Sequence, residues 1–273
     1  MSHSTTSDSP LQTTHVAILG LGEVGRIYGA ALADAGHRVT GFDPYLHESP
    51  AGVEVADTLE KAVEDARIVV VLTAASASRS VAESAAAALA PGAVYADFTS
   101  SGPLEKRTLA DVFQERTDVR LVDVAILGPV IQLGTATPLM TAGPAGEAAA
   151  ALMRPLGTPV EVVVGGDLGD AMAHKLLRSV FMKGLASVVV EAVGAGRGAG
   201  MEEWVRGQIA GVLAGDGQAV IDRFLTGTAK HAARRAVEMR STRAYLADLG
   251  VPAEMTEASM TALERMADDG HPS

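Results

Sequence analysis

The stretch from His15 to Pro44, HVAILGLGEVGRIYGAALADAGHRVTGFDP, constrains the fold of this chain more than any other. Val16–Leu19 is a short apolar run stopped by glycine and reads as a strand. Glu23–Ala35 is Ala-rich, is halted by Gly36, and reads as a helix. Arg38–Phe42 is a second strand, and Asp43 closes it. Strand, glycine turn, helix and strand within thirty residues make a βαβ unit, which commits the N-terminal part to an α/β sheet.

The glycines at 20, 22 and 25 have the spacing G-x-G-x-x-G. Each has a separate task in a nucleotide pocket. Gly20 permits the tight turn, Gly22 lets main chain approach a pyrophosphate, and Gly25 lets helix and strand pack closely. The helix that follows offers unpaired N–H groups and the positive end of its dipole to phosphates. Residues Gly20, Leu21, Gly22, Glu23, Val24 and Gly25 are therefore the expected phosphate loop. Asp43 lies twenty-three residues past Gly20, where a carboxylate accepts hydrogen bonds from an adenosine ribose. The bland alternative is a glycine-rich turn beside a solvated aspartate. Agreement between strand, glycines, helix and acid favours a dinucleotide. Asp43 would repel a 2′-phosphate, and the following PYLHES supplies no Arg or Lys to hold one. NAD is thus preferred, with NADP still possible.

The alternation continues. Strands are expected at Ile68–Leu72, Ala93–Ala96, Val119–Ile126, Pro138–Ala142 and Val160–Val164. Helices are expected at Thr58–Ala66, Ser78–Leu89, Pro103–Arg116 and Ala145–Met153. After about Gly165 only helical patterns remain: Asp170–Val193, Glu202–Leu213, Gln218–Phe224, Ala229–Leu249 and Ala253–Ala267, with GAGRGAG (Gly194–Gly200) punctuating the first two. The fold class is α/β, a Rossmann-type doubly wound parallel sheet followed by an all-α domain. The expected divisions are a loose leader over 1–14, a dinucleotide-binding domain over 15–166 and a helical domain over 167–273. The helical domain opens on a long interdomain helix near 169–195. That helix is apolar nearly all round after Phe181, so it is expected to be buried.

Composition narrows the partners. Acids outnumber Lys and Arg 33 to 22, a net charge of -11. That balance repels phosphate backbones, so nucleic acid is not an expected partner. No cysteine is present, which fits a reducing, cytoplasmic setting and removes thiolate and Cys-zinc chemistry. The polar leader has neither basic nor apolar signal-peptide regions, and no apolar run is long enough to span a membrane. Metal binding has no support in the spacing of the seven histidines.

Two further loops lie where strands should end, LTAASAS (Leu72–Ser78) and DFTSSGP (Asp97–Pro103). In open sheets ligands bind beyond the carboxyl ends of strands. Thr73, Ala74 and Thr99 are expected near the cofactor and Ser100 near the substrate. The same hydroxyls have an ordinary alternative, with Ser100 or Ser101 capping the helix that begins at Pro103.

These features together resemble the β-hydroxyacid dehydrogenases, the group of 6-phosphogluconate and 3-hydroxyisobutyrate dehydrogenases. AILGLGEVG resembles their N-terminal signature and YADFTSSGP their Asp-x-Ser/Thr-Ser/Thr loop. Val122–Gly143 occupies the place of their substrate-binding segment. GDAMAHKLLRS (Gly169–Ser179) is similar to their lysine helix, which implies Lys175 as the catalytic lysine. The resemblance also implies a small-molecule substrate and a homodimer through the helical domain. The chain departs from the pattern at two places. Leu127-Gly128-Pro129 stands where the family has Ser-Gly-Gly for a substrate carboxylate, and Ser179 stands where it has Asn. The segment after Lys175 resembles a subgroup whose short helical C-terminal domain has no assigned function and which carries a second Lys-Gly pair, here Lys183-Gly184.

On a helix Lys175, Ser179 and Lys183 share one face, at i, i+4 and i+8. Taken alone, Lys175 also reads as a solvated lysine. With the resemblance it is assigned as general acid and base, with Ser179 beside it. Lys183 can bind an anionic group, hold the fold or snorkel. The expected activity is hydride transfer between nicotinamide and a small hydroxy acid or related carbonyl. Two other readings stand beside it. One is an imine reductase or reductive aminase, whose architecture is similar but usually lacks the lysine. The other is a non-catalytic dinucleotide-binding regulator, suggested by the two departures.

Overall fold

A computed structural model describes residues 13–46 and 48–268. Most of the expected leader therefore lies outside the described residues. The chain divides into two compact units, residues 1–177 and 178–273.

In the first unit the strands β1 (His15–Leu19), β2 (Arg38–Phe42), β3 (Val53–Val55), β4 (Ile68–Val71), β5 (Val94–Asp97), β6 (Arg120–Ile126), β7 (Leu139–Ala142) and β8 (Val160–Val162) form one sheet. Their order is β3-β2-β1-β4-β5-β6-β7-β8. Every neighbouring pair is parallel except β6 with β7. The helices of this unit are α1 (Glu23–Asp34), α2 (Leu59–Val63), α3 (Ser78–Ala86), α4 (Pro103–Val112), α5 (Val130–Leu133) and α6 (Gly146–Met153). Strand order reverses direction between β1 and β4, the switch point at which such sheets open a ligand crevice.

The strands are apolar on both faces because both faces are covered. Val16, Ile18, Val70, Val94 and Val122 pack with Tyr28 and Leu32 of α1 and with Leu152 and Met153 of α6. The alternate residues Ala17, Leu19, Val69, Val71 and Tyr95 pack with α2, with Ala82 and Ala85 of α3, and with Leu109 of α4. Near-continuous apolar runs made these strands readable. The three-residue β3 and the one-turn α5 were not anticipated.

The second unit is helical. The long helix α7 (Asp170–Gly198) begins in the first unit and continues into the second, followed by α8 (Glu202–Leu213), α9 (Gly217–Lys230), α10 (Ala232–Asp248) and α11 (Glu254–Asp268). α7 runs through Gly194 and Gly196, so the expected punctuation there does not occur. A Cβ on Gly196 would lie 2.8 Å from the Val205 side chain, and one on Gly198 would lie 2.9 Å from Val251. These glycines permit close approach of neighbouring segments and do not end the helix before residue 198. The inner core of this unit is small, built on Ala232, Ala236 and Leu263 with Met239 and Met266. The expectation that α7 is buried after Phe181 is corrected: in the single chain Val180, Phe181 and Val190 are exposed. Among the described residues no helix is long and apolar enough to cross a membrane.

Candidate functional site

Register aligns the ends of β2, β1, β4 and β5 with Asp123 inside β6. Phe42, Leu19, Val71, Asp97 and Asp123 are successive partners across β2, β1, β4, β5 and β6. The segments leaving this rung are Asp43, the glycine loop at Gly20, the Thr73 loop and the Thr99 loop. One edge of the sheet thus collects the residues that the sequence marks for a cofactor.

The three glycines differ in what surrounds them. Gly20 has φ +97°, and a Cβ there would come within 2.8 Å of the Leu72 carbonyl. A Cβ on Gly25 would sit 2.0 Å from the Gly20 oxygen. Gly22, which precedes α1, is exposed, and a Cβ on it would meet nothing within 4 Å among the described residues. Glycine is thus required at 20 and 25 by the protein itself. The open space beside Gly22 is room for a ligand at a helix N-terminus. Leu21 is buried and contributes only its main chain to the loop, while Glu23 is exposed and Val24 packs on the core.

Asp43 is half-buried and uses both oxygens locally. Oδ2 accepts the Leu21 amide at 2.9 Å, and Oδ1 accepts the Tyr45 amide at 2.9 Å. Each oxygen keeps a second lone pair, so the carboxylate is oriented against the glycine loop without being saturated. Nearby, the hydroxyl of Thr73 is buried and has no hydrogen-bond partner among the described residues, whereas Ala74 is exposed. A buried hydroxyl without a partner is costly unless a ligand completes it. The Thr73 hydroxyl and the open Gly22 cradle fit a dinucleotide.

Thr99 is buried within a local network. Its amide donates to Asp97 Oδ1 at 2.8 Å, and its hydroxyl meets that of Ser101 at 2.9 Å. Ser101 in turn donates to the Ala75 carbonyl, joining the loops after β5 and β4. Ser100 is exposed. Neither serine caps α4: its N-cap is Gly102, whose amide donates to Glu105 Oε2 at 2.7 Å, with Pro103 in the first turn. Leu127 and Gly128 follow β6 half-buried, and Pro129 is exposed and precedes α5. Leu127 donates its amide to the Pro138 carbonyl.

Lys175 is half-buried on the second turn of α7, within the first unit. Ser179 and Lys183 lie on the same helix face one and two turns further on, Ser179 half-buried and Lys183 exposed. The helix start is fastened to the strand rung, because Met172 donates its amide to Asp123 Oδ2 at 2.9 Å. Reading residue by residue did not single out Asp97, Lys106 or Asp123. The available signal was an acid inside each of two apolar strands, VYAD and RLVDVAI, where an ionisable group needs a partner.

Comparison with known proteins is consistent with this geometry. Residues 15–165, more than half of the chain, match the NAD binding domain of 6-phosphogluconate dehydrogenase. The chain belongs to that family. In this NAD-binding family member, residues 197–266 also match a domain of unknown function (DUF1932). A D-lactate dehydrogenase from Staphylococcus epidermidis is 38% identical over 60 residues, which are 22% of this chain and 18% of that protein. The chain thus spans under a fifth of that curated relative. A conserved hypothetical protein from Sinorhizobium meliloti is 26% identical, with a TM-score of 0.61 over 93% of this chain and 89% of its own. A variant of the imine reductase from Myxococcus stipitatus in complex with NAD+ shares the fold with a TM-score of 0.80, at 18% identity over 95% of this chain and 96% of its own.

Proposed function

We propose that this protein is an NAD(P)-dependent oxidoreductase that transfers hydride between nicotinamide and a small hydroxy acid or related carbonyl compound. The observation that carries the reading is the tether between Met172 and Asp123, which holds the turn before Lys175 to β6 at the register rung that crosses β1 at Leu19, next to the glycine loop. When bound, the cofactor supplies the hydride. The amides at the start of α1 hold phosphates, Asp43 accepts ribose hydroxyls, and Thr73 and Thr99 line the neighbouring loops. Ser100, Leu127, Gly128 and Pro129 border the substrate. Lys175 holds the proton, donating it to a carbonyl oxygen during reduction and taking it from the alcohol during oxidation. Ser179 and Lys183 extend the polar face that Lys175 opens. Asp43 disfavours a 2′-phosphate, so NAD is the preferred cofactor and NADP the weaker one.

A second reading is imine reduction, favoured by the structural likeness to the imine reductase from Myxococcus stipitatus. The two readings are separated by following NADH consumption with a panel of small oxo acids and a panel of cyclic imines. The expected result is turnover of an oxo acid, with Lys175→Ala lowering kcat by about 10²- to 10⁴-fold. Turnover of imines alone, undiminished in Lys175→Ala, transfers the assignment to the second reading. Calorimetry showing affinity for neither coenzyme removes both.

The helical unit exposes the large apolar side chains of Phe181, Val190 and Trp204, which a partner surface could cover. This supports a homodimer through that unit. Light scattering is expected to give twice the 28.0 kDa chain mass, and a monomer at micromolar concentration would refute it.

A further inference from the structure

Lys106 is a cation inside the core of the first unit, 1% exposed. Its Nζ donates to the Asp97 carbonyl at 2.8 Å. It also forms ion pairs with Asp123 Oδ1 at 2.9 Å and with Asp97 Oδ2 at 3.4 Å. Both carboxylates are buried and are register partners on adjacent strands. Sequestering three ionisable groups costs several kcal/mol per ion before their mutual attraction is counted, so an arrangement like this is weak evidence for stability and invites another explanation.

The other contacts of the two carboxylates supply one. Asp97 accepts Ser78 Oγ of α3 at 3.2 Å and the Thr99 amide at 2.8 Å. Asp123 Oδ2 accepts the Met172 amide. The Ala173 amide bonds to Gly169 O, so the Met172 amide, one residue earlier, has no carbonyl within its own helix. Asp123 takes that orphan donor and places negative charge at the positive end of the α7 dipole. A carboxylate from β6 thus caps the helix remotely, Lys106 fixes that carboxylate, and Lys175 follows Met172 by three residues, nearly one turn.

We infer that Asp123, held by Lys106, is a positioning residue that sets the height and rotation of the first turns of α7, and through them the placement of Lys175. The inference rests on the reading of Lys175 as acid and base. It assigns the Asp97–Lys106–Asp123 cluster the task of tying the cofactor-side loops at Ser78 and Thr99 to the lysine helix.

The test is Asp123→Asn, with Lys106→Met as the second variant. Hydrogen exchange of the free protein is read at Met172, Ala173 and Lys175, and turnover is read with the oxo acid that the wild-type protein reduces. Exchange at those three amides is expected to rise about tenfold, since about 1.4 kcal/mol of local stability corresponds to that factor, while the helices α8 to α11 stay unchanged. kcat is expected to fall by up to about 10²-fold with coenzyme affinity preserved, as follows when a catalytic group is misplaced by about 1 Å. In a Lys175→Ala background Asp123→Asn should add no further loss, because the two residues act as one unit. Equal loss of kcat and coenzyme affinity, or a fully additive double variant, overturns the inference in favour of a merely structural role. If Lys106→Met fails to fold, the single Asp123→Asn protein still decides. Lys175→Ala at full turnover would remove the parent reading and this inference together, whereas inactive Lys175→Ala beside fully active Asp123→Asn would remove this inference alone.

Discussion

The Leu21 amide donates to Asp43 Oδ2 at 2.9 Å, which joins the end of β2 to the glycine loop after β1. This bond separates two effects of the carboxylate, its geometry and its charge. Asp43→Asn keeps an acceptor for Leu21, gives up the bond to the exposed Tyr45 amide and removes the charge. The expected outcome is a shift of about tenfold, or about 1.4 kcal/mol, in the ratio of the Kd values for NADPH and NADH toward NADPH. Calorimetric titration with both coenzymes checks it, and an unchanged ratio would show that Asp43 does not read the ribose.

Two glycines of one loop should respond oppositely to the same methyl group. Gly25→Ala drives a Cβ to within 2.0 Å of the Gly20 oxygen, and a loss of about 2 kcal/mol or more is expected in chemical unfolding. Gly22→Ala has nothing within 4 Å of its Cβ among the described residues. Its unfolding curve should match the wild type while NADH affinity falls, because the methyl group occupies ligand space. Equal stability losses in the two variants would contradict the division of roles.

Glu191 of α7 caps another helix. Its carboxylate accepts the Met255 amide at 2.6 Å, the Thr256 amide at 2.8 Å and the Thr256 hydroxyl at 2.7 Å. Glu191→Ala frees the first turn of α11, and a loss of about 1–3 kcal/mol is expected for the helical unit. Faster hydrogen exchange at Met255 and Thr256 is the measurement, and protected amides there would count against the cap.

Glu202 begins α8 between two guanidinium groups, Arg197 at 2.8 Å and Arg206 at 2.8 Å. Hydrogen bonds from Arg197 and then Arg206 pull its carboxyl down to about 2 from the ordinary 4.5. Because the folded-state value is depressed, the stabilisation is complete above the unfolded value and fades as pH falls through the folded one. Glu202→Gln should therefore be less stable than wild type above about pH 5, and the difference should shrink toward pH 2. Carbon-detected NMR titration of the carboxyl checks the midpoint; a value near 4.5 would show that the two arginines do not hold it.

Most of the first unit was legible because its strands are apolar on both faces and its turns carry glycine. Val16–Leu19 and Ile68–Val71 have little alternative to a buried parallel strand. Val53–Val55 escaped because VEV is three residues long with a charged residue at its centre, and its strand state comes from pairing with β2. The glycines of GAGRGAG misled for a physical reason. Glycine weakens a helix by only about 1 kcal/mol relative to alanine, and close packing of Gly196 against Val205 offsets that cost. At the candidate site, the glycine turn after β1 and the acid that closes β2 could be read from spacing alone. Lys106 could not, because PLEKRTLADV is amphipathic and does not declare which lysine or arginine turns inward. Only the pairing of β5 with β6 brings Asp97 and Asp123 within reach of one ammonium.

The division at residues 177 and 178 falls inside the unbroken helix α7. Amides just beyond that point bond to carbonyls four residues earlier, across the boundary. An expression clone that stops or starts there would sever a run of main-chain bonds in mid-ladder and leave two frayed stubs. Separate production of either half should instead keep the entire 170–198 segment with it, and linker insertion at the seam is expected to be poorly tolerated.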